Sequence, residues 1–278
     1  MSAAPGPDPE PRSPPMITIA HLSDLHLGAS PLAPRTLEDA VATLSGRELV
    51  VVTGDLTDGG RAADLSTFHR LTAPLGDRLV VVPGNHDRCG DDLGSALMSG
   101  ARVDLQLREG CAIVRVDSTA PHNRVAWLSH GRLCDDVLRL IDEALARVPR
   151  GLTTVVALHH HVVPLPAEGF WEHVSEVLGL PNHSELALGT ALLKVLRGRC
   201  DLVLHGHRHV PRQFVVDAEG ARPLRIFNAG STTALGAFRT FLLDHGALLT
   251  EPRWVQVTQR PRPSPQHWQA PLRALTLA

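Results

Sequence analysis

The sequence predicts a layered domain of the α/β or α+β kind, with helices covering β-sheets. Three observations carry this. Six short runs, at 17–20, 49–53, 79–82, 112–116, 154–158 and 202–204, are continuously apolar and rich in leucine or β-branched residues. They are too short for typical helices, and apolarity without alternation marks strands buried on both faces. Stretches of helical character separate them. Finally, 278 residues at 43% hydrophobic and 20% charged suit one sizeable globular core.

The elements follow in order. Residues 1–15 hold six prolines and lack the positive and apolar regions of a signal peptide, so they read as a disordered lead. The first strand, 17–20, is followed by a helix over 36–45, the strand 49–53 and a helix over 61–73. The strands 79–82 and 112–116 come next, then a helix over 134–148, where Val137, Leu138, Ile141 and Leu145 recur at helical spacing. After the strand 154–158 comes a polar, proline-punctuated insert at 162–184, then a helix over 185–197 and the strand 202–204. Further strands are expected at 225–228, 241–244 and 254–257. The domain is expected to run over 16–258, with 259–278 as a Pro- and Arg-containing tail, and no internal repeat is visible.

Several function classes are excluded early. The net charge is −2, so no basic excess exists to hold a long nucleic acid. No apolar stretch of 18 residues is present, which excludes a transmembrane helix. Cys89, Cys111, Cys134 and Cys200 lie far apart without a CxxC pair, so they read as reduced thiols of a cytoplasmic protein. Neither Ser23 nor Ser118 lies in a Gly-x-Ser-x-Gly elbow, and no phosphate-cradling glycine loop occurs.

The chemistry gathers at the strand ends. Sixteen histidines stand against the single Lys194. Five apolar runs lead directly into candidate ligands: His21 to His26 with Asp24 between, Gly54-Asp55, Gly84-Asn85-His86-Asp87, His159-His160-His161, and His205-Gly206-His207-Arg208-His209. Ligands of open α/β sheets bind outside the carboxyl ends of strands, so these groups are expected around one point. Carboxylate, imidazole and carboxamide without thiolate suit Mn, Fe, Zn or Ni. Asp24-x-His26 and His207-x-His209 have the period of a strand, which would put each pair on one face. Seven ligands exceed one zinc but fit two ions about 3.5–4 Å apart sharing a carboxylate. Asp55, which follows a central apolar strand, is the natural bridge.

Taken together, Asp24-x-His26, Gly54-Asp55, Gly84-Asn85-His86-Asp87, His159-His160 and Gly206-His207-x-His209, in this order, resemble the calcineurin-like metallophosphoesterase family. The resemblance runs from about residue 17 to 244, and the compact spacing is similar to the bacterial cyclic-nucleotide phosphodiesterase branch. It implies a two-sheet β-sandwich flanked by helices, with metals at the sheet edge. One ion would be held by Asp24, His26, Asp55 and His209, the other by Asp55, Asn85, His159 and His207. The cofactors would be two divalent or trivalent ions: Mn, Fe, Zn or a mixed pair. His86 would be the catalytic histidine, oriented by Asp87, and a water or hydroxide bridging the metals would be the nucleophile. His161 is the rival of His159 as ligand, and His160 a residue lining the site. His21 and His205 read as support. Phe170, Trp171, His173 and His183 belong to the insert, as surface or as substrate rim.

The function implied is hydrolysis of a small phosphodiester such as a cyclic nucleotide, with no stable nucleic-acid partner and no membrane. The rivals are a repair nuclease, since 21–28 (HLSDLHLG) resembles the opening of repair exonucleases, a nucleotide-sugar pyrophosphohydrolase, and a non-catalytic binding module.

Overall fold

The computed structural model describes residues 16–125, 128–163, 186–216, 222–257 and 273–275. In chain order the strands are β1 (Ile17–Leu22), β2 (Leu49–Thr53), β3 (Leu79–Val82), β4 (Val103–Arg108), β5 (Cys111–Val116), β6 (Thr153–Ala157) and β7 (Leu202–His205). β8 (Arg212–Val216), β9 (Leu224–Asn228), β10 (Ala237–Asp244), β11 (Ala247–Leu248), β12 (Arg253–Gln256) and β13 (Arg273–Leu275) complete them. The helices are α1 (Ala33–Thr43), α2 (Ala62–Thr72), α3 (Gly94–Leu97), α4 (Asp135–Ala146), α5 (Gly189–Leu196) and α6 (Thr232–Leu235).

Two mixed sheets result. The first has the order β11-β10-β1-β2-β3, with β12 also on β10; the second has the order β13-β8-β9-β7-β6-β5-β4. β1, β2 and β3 are parallel, as are β5, β6, β7 and β9. Every continuous apolar run therefore became a strand, interior to its sheet except β3, which lies at an edge. The reason is visible in the packing, because successive side chains of a strand point to opposite faces. Ile19, Val51, Val155, Ala157, Leu202 and Leu204 meet Phe227 and Phe241 between the sheets. Their sequence neighbours Ala20, Val50 and Val52 pack outward on Leu37 and Ala40 of α1 and Phe68 of α2. On the far side Val156 and Val203 pack against Val137 and Ile141 of α4 and Leu192 of α5. Each valine, leucine, isoleucine or phenylalanine among them contributes about 1.5–3 kcal/mol on burial. Both faces of both sheets are thus apolar, and alternation vanishes from the sequence.

The differences from expectation have local causes. β4 and β8 fall outside the apolar runs because their side chains are largely half-buried and interleaved with polar residues. β4 returns to β5 through Glu109 and Gly110, whose φ of 74° suits glycine. α1 begins before 36, because Pro34 occupies its first turn, where no amide hydrogen is needed. α5 is shorter than 185–197, starting after Leu188 at φ 64°. β10 starts four residues before 241, carrying Arg239 into the inter-sheet layer. Within the stretch read as a tail, β13 pairs in parallel with β8. The insert 162–184 lies outside the described residues beyond Val163, and with it Phe170, Trp171, His173 and His183. Among the described residues no helix is long and apolar enough to cross a membrane.

Candidate metal centre

The loops after β1, β2, β3, β6 and β7 converge, because parallel strands of both sheets end at the same edge. The first two loops run side by side: Asp24 N donates to Gly54 O at 3.1 Å and His26 N to Asp55 O at 3.0 Å. Gly206 N donates to His159 O at 3.0 Å and ties the last two. His159 then bridges the sheets, donating from Nδ1 to Thr53 O at 2.7 Å. That bond fixes the ring and turns Nε2 toward the centre.

The expected strand geometry of Asp24-x-His26 and His207-x-His209 is not what forms. β1 ends at Leu22 and β7 at His205. Asp24, His26, Asp55 and His207 instead adopt left-handed backbone, with φ of 51°, 46°, 51° and 70°. Such values are uncommon for residues other than glycine and are held only where surrounding structure over-determines them. Here the tight turns aim successive polar side chains at one spot. Two glycines make room. A Cβ on Gly54, itself at φ 87°, would lie 2.6 Å from His159 Nδ1, and one on Gly84 would overlap the Asp55 carboxylate and amide.

The structure brings all seven candidate ligands together. His26 Nε2 and His209 Nε2 are 3.2 Å apart, and Asp24 Oδ1 lies 3.6 Å from His209 Nε2. On the other flank, Asn85 Oδ1 is 3.0 Å from both His159 Nε2 and His207 Nδ1. Asp55 Oδ2 stands between, 3.3 Å from His159 Nε2 and 3.7 Å from His26 Nε2. Ligand atoms of Asp24, His26 and His209, and likewise of Asp24, Asp55 and His159, all lie within 4.8 Å of one another. His160 also falls in such a cluster, but both its ring nitrogens have protein partners, Ser118 Oγ at 2.8 Å and Ser129 O at 2.9 Å. His161 is buried, and its ring stacks on that of His207 with centroids 5.7 Å apart. Its Nδ1 is unpartnered. His21 donates or accepts at Thr53 Oγ1, 2.9 Å away, a supporting contact.

The electrostatics fit cations. Burial opposes charge on Asp55, but the His159, His86 and His26 rings outweigh it and hold the carboxyl well below its ordinary value. Burial likewise opposes protonation of His159, yet Asp55 and Asp24 lift it to about 9. His207 is pushed well below its ordinary value by burial and by His160, His159 and His161. A cluster that crowds imidazoles around buried carboxylates is satisfied by bound cations better than by protons. Carboxylate, imidazole and carboxamide oxygen make the donor set hard to borderline. Cys89 falls in none of these clusters, and burial and the Asp55, Asp87 and Asp58 carboxylates raise its thiol pKa.

His86 adjoins the seven and forms a further such cluster with His26 and Asp55; its amide donates to Asp55 Oδ1 at 2.9 Å. Its orienting partner is not Asp87. The buried Asp87 carboxylate accepts from Leu56 N, Thr57 N, Thr57 Oγ1 and Gly84 N, stapling the β2 and β3 loops together. Asp58 takes the orienting place. Its carbonyl accepts from His86 Nδ1 at 2.6 Å, and its carboxylate lies 3.2 Å from His26 Nδ1. Sequence reasoning passed over Asp58. The available signal was its place three residues after Asp55 in the same polar turn.

Comparison with known proteins identifies the family. A family model described as calcineurin-like phosphoesterase matches residues 17–211. A 3',5'-cyclic adenosine monophosphate phosphodiesterase, CpdA of Pseudomonas aeruginosa, is 29% identical over 228 residues, covering 78% of this chain and 76% of that protein. CpdA of Escherichia coli K12 is 30% identical over 169 residues, covering 56% of this chain and 58% of that one. Among solved structures, the purple acid phosphatase PPD1 of yellow lupin superposes with a TM-score of 0.61 at 14% identity, over 91% of this chain and 54% of that one. A putative 5'-nucleotidase of Staphylococcus aureus gives 0.52 at 15% identity, over 89% and 55%. This chain therefore spans little more than half of either structure, and the likeness to them is one of fold. The family match takes in β1 to β7 and every candidate ligand from Asp24 to His209, and the chain belongs to the calcineurin-like phosphoesterases, metal-dependent phosphoric ester hydrolases.

Proposed function

We propose that the protein hydrolyses a small phosphodiester, with a 3',5'-cyclic nucleotide as the leading candidate, at a centre of two metal ions. The observation that carries this is Asp55, whose Oδ2 faces His159 on one flank and His26 on the other. Asp24, His26, Asp55 and His209 would hold one ion; Asp55, Asn85, His159 and His207 would hold the second. Mn, Fe, Zn or a mixed pair suits these donors. Such ions supply hydroxide near neutral pH and clamp phosphoryl oxygens. The remaining chemistry belongs to the chain. His86, with Nδ1 occupied by the Asp58 carbonyl, has Nε2 left to meet the phosphate or the leaving oxygen. A hydrogen bond to a phosphoryl oxygen there grows stronger as charge spreads in the transition state. The cyclic-nucleotide assignment is supported by the names of the CpdA relatives. Four unpaired, separated thiols suit a reducing compartment, the cytoplasm.

The test compares bis(p-nitrophenyl) phosphate with p-nitrophenyl phosphate on Mn-loaded protein, with Asp55→Asn as the blank. Faster diester cleavage, absent from the blank, supports the reading, and cyclic AMP and cyclic GMP follow. Preference for the monoester makes the protein a phosphatase. Two bound metals with no turnover of any of these esters would favour a binding module.

A further inference from the structure

A cleft of about 400 Å3 opens beside the centre, within the roughly 300–1,000 Å3 typical of small-molecule sites. Part of its lining is the centre itself, through His26, His86, His209 and Asp58. The rest comes from the entry to α1 and from α6, which pack against each other. This wall presents Ala29, Leu32, Ala33, Thr233 and Ala234.

The wall's hydroxyls are mostly committed. Ser231 Oγ donates to Asp24 O at 2.8 Å, and Thr233 Oγ1 donates to Leu25 O at 3.0 Å, so both protons hold the ligand-bearing loop. Ser30 Oγ accepts from Leu32 N at 3.2 Å and keeps its own proton to donate. No Lys or Arg lines the cleft among the described residues, and its one carboxylate outside the ligand set, Asp58, is 45% exposed. Leu32 is a large apolar side chain left 43% exposed at this place.

We infer that the cleft seats an uncharged, largely apolar arm of the ester, of aromatic or nucleoside kind, and that Leu32 and Ala234 decide which arms fit. The inference rests on the phosphoester reading of the adjacent centre. Apolar groups enter such a wall with little loss, because no wall cation or free amide loses water. A second phosphate lying along the wall, away from the metal centre, meets no Lys or Arg among the described residues, so pyrophosphates and polynucleotide strands are selected against.

The test is calorimetric and needs no turnover. Mn-loaded protein is titrated with inorganic phosphate, AMP and ADP. AMP should bind about tenfold or more tighter than phosphate, and ADP no tighter than AMP. Ala234 is exposed, so Ala234→Trp should fold and fill the cleft; AMP affinity then falls to that of phosphate, with phosphate unchanged. Leu32→Ser, at another exposed position, should weaken AMP in the same direction. Equal or absent binding of AMP and phosphate to the wild type, or parallel shifts of both in the variants, would overturn the assignment. ADP binding about tenfold tighter than AMP would also overturn it. Loss of diester turnover with the AMP preference intact would instead sink the phosphodiesterase reading and leave the cleft assignment standing.

Discussion

His86 and His26 share a neighbour, and that neighbour divides their roles. The Asp58 carbonyl accepts from His86 Nδ1, while the Asp58 carboxylate faces His26 Nδ1 at 3.2 Å. A carboxylate behind a ligating imidazole fixes its tautomer and raises its basicity, and its removal weakens metal binding about 10–100-fold. Asp58→Asn should therefore raise the metal dissociation constant by that factor, read by chelator competition; an unchanged constant would mean that the Asp58 carboxylate does not support His26 as a ligand. His86→Ala should keep both metals while kcat falls about 10²–10⁴-fold, and metal analysis beside steady-state rates separates the two. Metal loss in that variant would make His86 a ligand or a fold support. Asp55→Asn should lose both ions together, since its Oδ2 faces both flanks. Asp87 acts differently. Its carboxylate gathers four donors in a buried place, so Asp87→Ala leaves them unsatisfied and should cost about 3 kcal/mol or more in urea unfolding.

The elements that carry the site are strand ends, and their turns demand small residues at defined places. Gly84 has no room for a methyl group against Asp55. Gly84→Ala should displace the Asp55 carboxylate and lower metal content below two per chain, with the two-sheet core intact by far-ultraviolet circular dichroism. Normal loading would show that the β3 turn can yield. This is also where the sequence was most and least informative. β2, β6 and β7 were legible as continuous apolar runs because helices cover one face and the opposing sheet the other. The candidate ligands were legible as polar clusters following those runs. β4 and β8 were not, since VDLQLR and RQFVV mix polar with apolar residues on strands whose side chains are largely half-buried. The turn geometry was also hidden. Nothing in Asp24-x-His26 distinguishes a strand pair from two left-handed residues, because the backbone state is held by hydrogen bonds from the Asp24 and His26 amides to the Gly54 and Asp55 carbonyls across the loop. Asp87 was assigned to His86 by adjacency alone, whereas its donors come from Leu56, Thr57 and Gly84 across the loop.

At the scale of the molecule, the centre depends on two sheets staying face to face. His159 of one sheet reaches Thr53 and Asp55 of the other, so any separation of the sheets takes the ligand set apart. Two cysteines report on the layers independently. Cys111 lies in the inter-sheet core, and Cys200 in the layer under α4 and α5. Burial pushes the Cys111 thiol up to about 12 and the Cys200 thiol higher still, while Cys134 is exposed. A thiolate reagent at pH 8 should therefore label Cys134 first, Cys89 more slowly, and neither buried thiol in the native state. Pulsed labelling across a urea series then tests how the layers come apart. If inter-sheet and helix-sheet cores form one cooperative unit, Cys111 and Cys200 become reactive at the same midpoint, coincident with loss of bound metal. Cys200 reacting at lower urea, with metal still bound, would show that the helical layer opens as a separate unit over a sandwich that keeps the centre. The shared strands favour the single transition. Val155 and Ala157 of β6 pack between the sheets while Val156 of the same strand packs under the helices, so one layer cannot leave without exposing the strand that carries His159.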